Sequence, residues 1–341
     1  MKTIKRSLLR VLKNTGLFDR TVNSRWRTDR LPILCYHAIS LEDEHECGNL
    51  FTMSPAAFES RLEMLRSGGY SVLPLEEALG KLKAHTLPPR SVVLTFDDGL
   101  YNFYSRAFPI LQKFGYPATL YLTTYYCYRD LPIFPLICRY MFWKYGAVMK
   151  PTAALGFNNP IDLSTPSGQH LACTEINTYA SVKHLNADQK NELARRLAEY
   201  LNLDFDKLVS KRLFQLVNPK EVKELSEKGV DIQLHTHRHR TPLDRSLFER
   251  EITENRSKIA ELTGKAAHHF CYPSGTYRME NLPWLSELGI SSATTCDSGL
   301  ANVETNPLLI PRFLDYMDVS VIEFESWLTG VDAFLPRNPF S

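Results

Sequence analysis

The sequence predicts an α/β barrel interrupted by a mainly helical insertion, and three observations carry that prediction. Short apolar runs that end in polar residues alternate with segments of helical spacing along most of the chain. The stretch from Ser91 to Thr123 gives strand, helix and strand in close succession, which implies parallel pairing through a right-handed crossover. Between residues 126 and 218 the rhythm breaks and helical patterns take over. Repeated β–α alternation is the mark of a parallel sheet covered by helices.

Each element has its own reason. Leu31–His37 (LPILCYH) is a short apolar run bounded by polar residues, a buried strand that delivers Tyr36 and His37 at its C-terminal end. Ser54 caps a helix with Pro55 at its first position, apolar Phe58, Leu62 and Leu65 on one face, and Gly68–Gly69 to stop it. Leu75–Ala84 reads as a short helix, and Ser91–Phe96 (SVVLTF) as a β-branched strand closed by Asp97, Asp98 and Gly99. Ala107–Phe114 is a helix ended by Gly115, followed by the strand Ala118–Thr123. Asp231–Leu234, Phe270–Tyr272, Ser292–Thr295 and Leu309–Pro311 read as further strands, and Ser246–Leu262 as a late helix. Within the insertion, Pro132–Tyr145 and Asp188–Leu201 are helical, while Pro151–Thr174 is polar and turn-rich. The expected organisation is a basic helical segment (1–29), a first barrel part (30–125), the insertion (126–218), a second barrel part (219–316) and a C-terminal segment (317–341).

Composition excludes several classes. Hydrophobic residues make up 44% and aromatics 11%, the profile of a globular chain. A net charge of +2 gives no general attraction to nucleic acid, which is not expected as a partner. Seven cysteines, an odd number without CxxC pairs, favour a reduced compartment. The N-terminus lacks the run of about 7–15 apolar residues of a signal peptide, so a cytoplasmic location is expected. Ile4, Leu8, Val11, Leu12 and Leu17 fall on one face of a helix rich in Lys and Arg. Two roles are open for it: peripheral contact with the inner face of an anionic membrane, or packing on its own domain.

Two motifs carry chemistry. TFDDG (95–99) puts adjacent carboxylates and a glycine at the end of a buried strand, where neighbouring side chains diverge, so one can ligate a metal while the other faces a substrate. LHTHRHRTPL (234–243) follows another strand and brings three histidines within five positions, two of them at i and i+4. One carboxylate and two imidazoles make a facial set with open positions, the pattern of a catalytic metal site.

With these motifs in hand, the sequence resembles the polysaccharide deacetylase family, carbohydrate esterase family 4, also called the NodB homology domain. The resemblance covers residues 30–125 and 219–316. It implies a distorted (β/α)7 TIM-like barrel, with Asp98, His235 and His239 as metal ligands and Asp97 as the general base; His237 is a bystander. FCYPSGTY (270–277) is similar to the family's third motif, with Cys271 in place of the usual arginine and Ser274 in place of the usual tyrosine. The Ser274 amide is still able to hold an oxyanion, and Tyr272 and Tyr36 are candidate substrate contacts beside it. Arg312, in IPRF, is a candidate support for the base or else a structural ion-pair partner. The family's late histidine motif has no counterpart after residue 300. In the branch resembling poly-N-acetylglucosamine deacetylases, the acid comes instead from an early LxYH strand, which LPILCYHAIS matches, making His37 the candidate acid.

The activity implied is metal-dependent removal of an N-acetyl group from an amino sugar in a polysaccharide, or in its lipid-linked or nucleotide-linked precursor, with release of acetate. The alternatives are an O-acetyl esterase or other amide hydrolase using the same site, and a catalytically inactive glycan-binding relative. Zinc is the default cofactor for such donors, with cobalt, nickel or iron also suited. An N-acetylated glycan or glycolipid is the expected partner. The aromatics Tyr125, Tyr126, Tyr128, Phe134, Tyr140, Phe142 and Trp143 stack on sugar rings, cover a lipid, or form the insertion's own core.

Overall fold

Seven short strands run parallel through the chain: β1 (Ile33–Tyr36), β2 (Ser91–Phe96), β3 (Thr119–Leu122), β4 (Asp231–Leu234), β5 (His269–Cys271), β6 (Ser292–Thr294) and β7 (Phe313–Leu314). They are taken from a computed structural model that describes residues 2–48 and 50–335; Met1 and residues 336–341, parts of the two expected terminal segments, lie outside the described residues. The order across the sheet is β6-β5-β4-β3-β2-β1-β7, with the two-residue strand Ser71–Val72 added against the start of β2. Every pairing on this path is parallel, with Ile33 opposite Val93 and Leu34 opposite Phe313. Ile310, just ahead of β7, bridges in parallel to Thr294 on the far edge. The sheet therefore curls on itself as a distorted (β/α) barrel.

The apolar runs explain the burial. All six residues of β2 are buried, as in parallel strands covered on both faces. The last expected strand moves: Leu309–Pro311 supplies only the Ile310 bridge, and the pairing with β1 falls on Phe313–Leu314. Pro311 has no N–H to give a ladder, which ends the first contact and shifts the strand beyond it.

The N-terminal helix α1 (Lys2–Asn14) packs on its own domain. Leu9 is fully buried in a cluster with Phe18, Ile322 and Val331. Arg6 pairs with Glu323, Lys13 with Glu325 and Lys5 with Asp332, so these cations are engaged by the protein's own acidic residues. No described helix is long and apolar enough to cross a membrane.

Residues 126–218 hold the helices α3 (Phe134–Tyr145), α4 (Pro166–Val182), α5 (Ala187–Tyr200) and α6 (Phe205–Ser210), following α2 (Leu75–Lys83) of the barrel. They share an apolar cluster distinct from the barrel's, built on Ile137, Met141, Phe157, Ile176 and Leu197. Phe134, Tyr140 and Phe142 belong to that cluster, so these aromatics serve as core. Helix α4 starts inside the stretch expected to be turn-rich. Thr165 caps it and Pro166 opens it, while Ala172, Cys173, Ile176 and Ala180 supply a buried face at helical spacing.

One buried ion pair ties the barrel together. Arg61 reaches Asp315 at 3.1 and 3.4 Å and donates to the Val319 carbonyl at 2.6 Å. Burial pushes the Asp315 carboxyl up to about 6 against the opposing pull of Arg61. An acid whose folded value is raised gives stability that is complete below its unfolded value, near 3.9, and is lost as pH climbs through about 6. Arg61→Ala is expected to cost about 3–5 kcal/mol at pH 7, because it strands a buried carboxylate, and less near pH 4. Denaturant unfolding at the two pH values checks this; an equal loss at both contradicts it.

Candidate active site

The C-terminal ends of the strands bring the predicted chemistry together, at the barrel face that carries active sites in this architecture. Asp97 follows β2 directly, and its N–H extends the ladder by donating to the Tyr36 carbonyl at 2.9 Å. Asp98 then adopts a left-handed conformation (φ 72°), which turns its carboxylate away from that of Asp97. Gly99 follows at φ 85°, and a Cβ there would lie 2.3 Å from Leu122 Cδ1, so the fifth position of TFDDG accepts only glycine.

Asp97 is buried and held from several sides. Arg312 donates through Nη1 to Oδ1 at 2.8 Å and through Nη2 to Oδ2 at 2.7 Å, a two-pronged charged pair. The same guanidinium is fixed by Thr95 Oγ1 and the Thr295 carbonyl, both at 3.0 Å. Cys35 and Cys271 direct their thiols at Oδ2 from 3.5 and 3.4 Å. Burial alone would push the Asp97 carboxyl up, but Arg312 outweighs it and holds the group well below the usual carboxylate range. Burial raises both thiols far above their ordinary value, so they stay protonated.

Asp98, His235 and His239 converge. Nε2 of each histidine lies 3.2 Å from Asp98 Oδ1, and that oxygen is buried without a hydrogen-bond partner among the described residues. Donors around a tetrahedral ion with bonds of about 2.0–2.2 Å sit about 3.3 Å apart, so an orphaned oxygen between two imidazole nitrogens fits a metal. His235 Nδ1 donates to the Cys271 carbonyl at 2.9 Å, which leaves Nε2 as the free lone pair. Its backbone N–H is held at 2.9 Å by Asn255, a fully buried residue of helix α7 (Arg245–Thr263) that also binds the Leu122 carbonyl and Thr124. Thr236 and His239 are left-handed, as are Asp98 and Ser274, so four non-glycine residues at this face hold a conformation that costs about 1–3 kcal/mol each.

His37, after β1, has Nε2 3.9 Å from Asp97 Oδ2. Burial lowers it below its ordinary value against the pull of Asp97 and Asp98. It lines a cavity of about 210 Å³ together with Asp98, Phe51, Leu100, Arg139 and Asn177. His237 faces away, with Nδ1 2.8 Å from Thr124 Oγ1. Ser274 is exposed at φ 56°, and its N–H makes no bond to a described residue.

Two expected contacts are corrected. The Tyr36 side chain is 1% exposed and packs against Phe58 and Phe96; its hydroxyl lies near Asp315 without reaching hydrogen-bond geometry. Tyr272 is fully buried and donates to the Leu308 carbonyl at 3.1 Å. Strand alternation aims both rings into the core, so neither side chain reaches a substrate. Sequence reasoning missed the two thiols beside Asp97, and it missed Asn255. A signal for Asn255 was present: it falls in step with Phe248, Ile252 and Ile259 on the buried face of α7, where an amide needs partners.

The polysaccharide deacetylase family model matches residues 84–139 and 182–293, a span that includes Asp97, Asp98, His235, His239 and Ser274. The chain belongs to the polysaccharide deacetylase family. The match breaks off within α3 and resumes at the end of α4, so much of the insertion lies outside the family pattern, as do His37 and Arg312. Over 94 residues the family member is 36% identical to YxkH of Bacillus subtilis, covering 27% of this chain and 32% of that protein. It is also 36% identical over 96 residues to the poly-β-1,6-N-acetyl-D-glucosamine N-deacetylase of Escherichia coli K12, covering 27% of this chain and 14% of that one. Its fold matches IcaB from Ammonifex degensii with a TM-score of 0.57 at 18% identity, over 88% of this chain and 97% of the other. The family member thus spans a third or less of the curated relatives it matches, while the structural likeness runs through nearly the whole barrel.

Proposed function

We propose that this chain is a metal-dependent hydrolase that removes the N-acetyl group from an amino sugar of a polysaccharide or of its phosphate-linked precursor. The observation that carries the reading is the pairing of an orphaned Asp98 oxygen between two imidazoles with a neighbouring Asp97 locked as carboxylate by Arg312.

Asp98, His235 and His239 would hold the ion, zinc by default. When bound, such an ion polarises a carbonyl and brings the pKa of a coordinated water towards about 7. Asp97, kept ionised, takes the proton from the attacking water. The unpaired Ser274 N–H donates to the developing oxyanion. His37, which lines the same cavity as Asp98, gives a proton to the departing amine. Arg139 supports the precursor form of the substrate: it lines the same cavity, and no carboxylate among the described residues pairs with its guanidinium.

Acetate release from N-acetylated β-1,6-glucosamine oligomers, from chito-oligosaccharides and from lipid-diphosphate-linked N-acetylamino sugars, with zinc-loaded and chelator-stripped protein, tests the reading. Release that requires zinc is expected, with the diphosphate-linked sugar preferred. Binding of zinc without release from any of the three overturns it. Replacing His37 separates amide from ester chemistry. His37→Ala is expected to lower N-acetyl hydrolysis by about 10²–10⁴-fold while sparing p-nitrophenyl acetate, whose leaving group needs no proton. Equal losses on both substrates would remove His37 from the acid role.

A further inference from the structure

At the opposite end of the barrel a second set of metal-ligating side chains meets. His268 and His269 stand at the entry of β5, and Glu76 reaches them from α2. Glu76 Oε2 lies 3.1 Å from His268 Nε2 and 2.6 Å from His269 Nε2. The donor atoms of the three residues all fall within 4.8 Å of one another.

His269 distinguishes this cluster from a surface ion pair. It is only 2% exposed, and its Nε2 is buried without a hydrogen bond although a Glu76 oxygen lies close by. On its other side Nδ1 meets Ser292 Oγ at 2.7 Å, a contact that orients the ring; the hydroxyl serves either tautomer, so Nε2 is able to ligate a metal with the proton on Nδ1. Both backbone N–H groups of the pair are pinned by one acceptor, Gln233 Oε1, at 3.0 and 2.9 Å. The rings therefore stand side by side, 4.5 Å between centroids, before any ligand arrives. They open on a cavity of about 170 Å³ that Asp231 also lines, its carboxylate taken by Thr119 and Gln233. The one cation there, Lys265, turns to the Ser226 carbonyl.

We propose that Glu76, His268 and His269 form a second divalent-metal site, a zinc clamp that ties α2 to the first residue of β5. Two neutral imidazoles and a carboxylate suit zinc, and the remaining position is open to water from the cavity. That strand ends at Cys271, whose carbonyl orients His235 and whose thiol faces Asp97, so the clamp braces the opposite end of β5 without touching the hydrolytic centre.

The site is separable from the hydrolytic one. Whole protein is stripped with chelator, reloaded with zinc, desalted, and its metal content read by inductively coupled plasma mass spectrometry. About two zinc ions per chain are expected in the wild type and about one in Asp98→Ala. Glu76→Gln combined with His268→Ala also retains about one, while acetate release is unchanged. His268 and Glu76 are both exposed enough for the fold to tolerate the change, whereas His269→Ala risks the core. X-ray absorption on Asp98→Ala is expected to show two imidazoles in the remaining zinc's shell. One zinc in the wild type that disappears with Asp98→Ala overturns the second site and leaves the proposed function intact. Loss of acetate release with two zinc ions still bound fails the function and leaves the clamp.

Discussion

Asp97→Asn is expected to reduce acetate release by about 10²–10⁴-fold while leaving the zinc bound through Asp98, His235 and His239 in place. An amide keeps the shape of the side chain and part of its hydrogen bonding, but it cannot take a proton from water. The substitution also has a structural price. Arg312 is fully buried, and Asp97 is the only carboxylate it touches among the described residues. A neutral partner leaves that guanidinium uncompensated, so a loss of about 3–5 kcal/mol in unfolding free energy accompanies the loss of rate. Rates measured well below the lowered melting point separate the two effects. A variant that keeps its rate within tenfold would place the base elsewhere.

Arg312→Met is expected to destabilise the protein by a similar amount, about 3–5 kcal/mol, for the mirror-image reason. It leaves the Asp97 carboxylate buried beside two protonated thiols, with His37 3.9 Å away and His235 near it, and without a guanidinium. Arg312→Lys restores a charge but not the two parallel donors that fix both oxygens, so stability recovers further than rate. The double variant Asp97→Asn/Arg312→Met is expected to be more stable than either single one, since it removes both halves of the pair. Chemical denaturation of the four variants, read beside kcat, checks this. Additive losses in the double variant would show that the pair is not coupled.

The sequence made the strands legible because parallel strands buried on both faces are short unbroken apolar runs. Ser91–Phe96 and Asp231–Leu234 fall where the pattern places them, and the structure gathers Asp97, Asp98, His235, His239, His37 and Arg312 at one end of the barrel. What was not legible depends on direction and on distant partners. Tyr36 and Tyr272 sit in the right motifs, yet strand alternation turns their rings inward. The choice left open for Arg312 could not be made from IPRF, because it depends on a residue 215 positions away. Cys271 departs from the family pattern in sequence, but in space it lies 3.0 Å from the guanidinium of Arg312, which reaches Asp97 from just ahead of the last strand. The helix Pro166–Val182 was hidden by its polar, glycine-containing first turn, although Thr165 and Pro166 signalled its start.

The cavity at His37 has walls of two origins. Its chemical end, His37, Asp98 and Leu100, belongs to the barrel, while Pro135, Arg139, Cys173 and Asn177 come from α3 and α4. Substitutions in the second group touch neither the strands nor the groups that would hold metal and move protons. Under the proposed function, then, which glycan is admitted is set by one pair of helices and the chemistry by the strand ends, so either is open to alteration with the other intact.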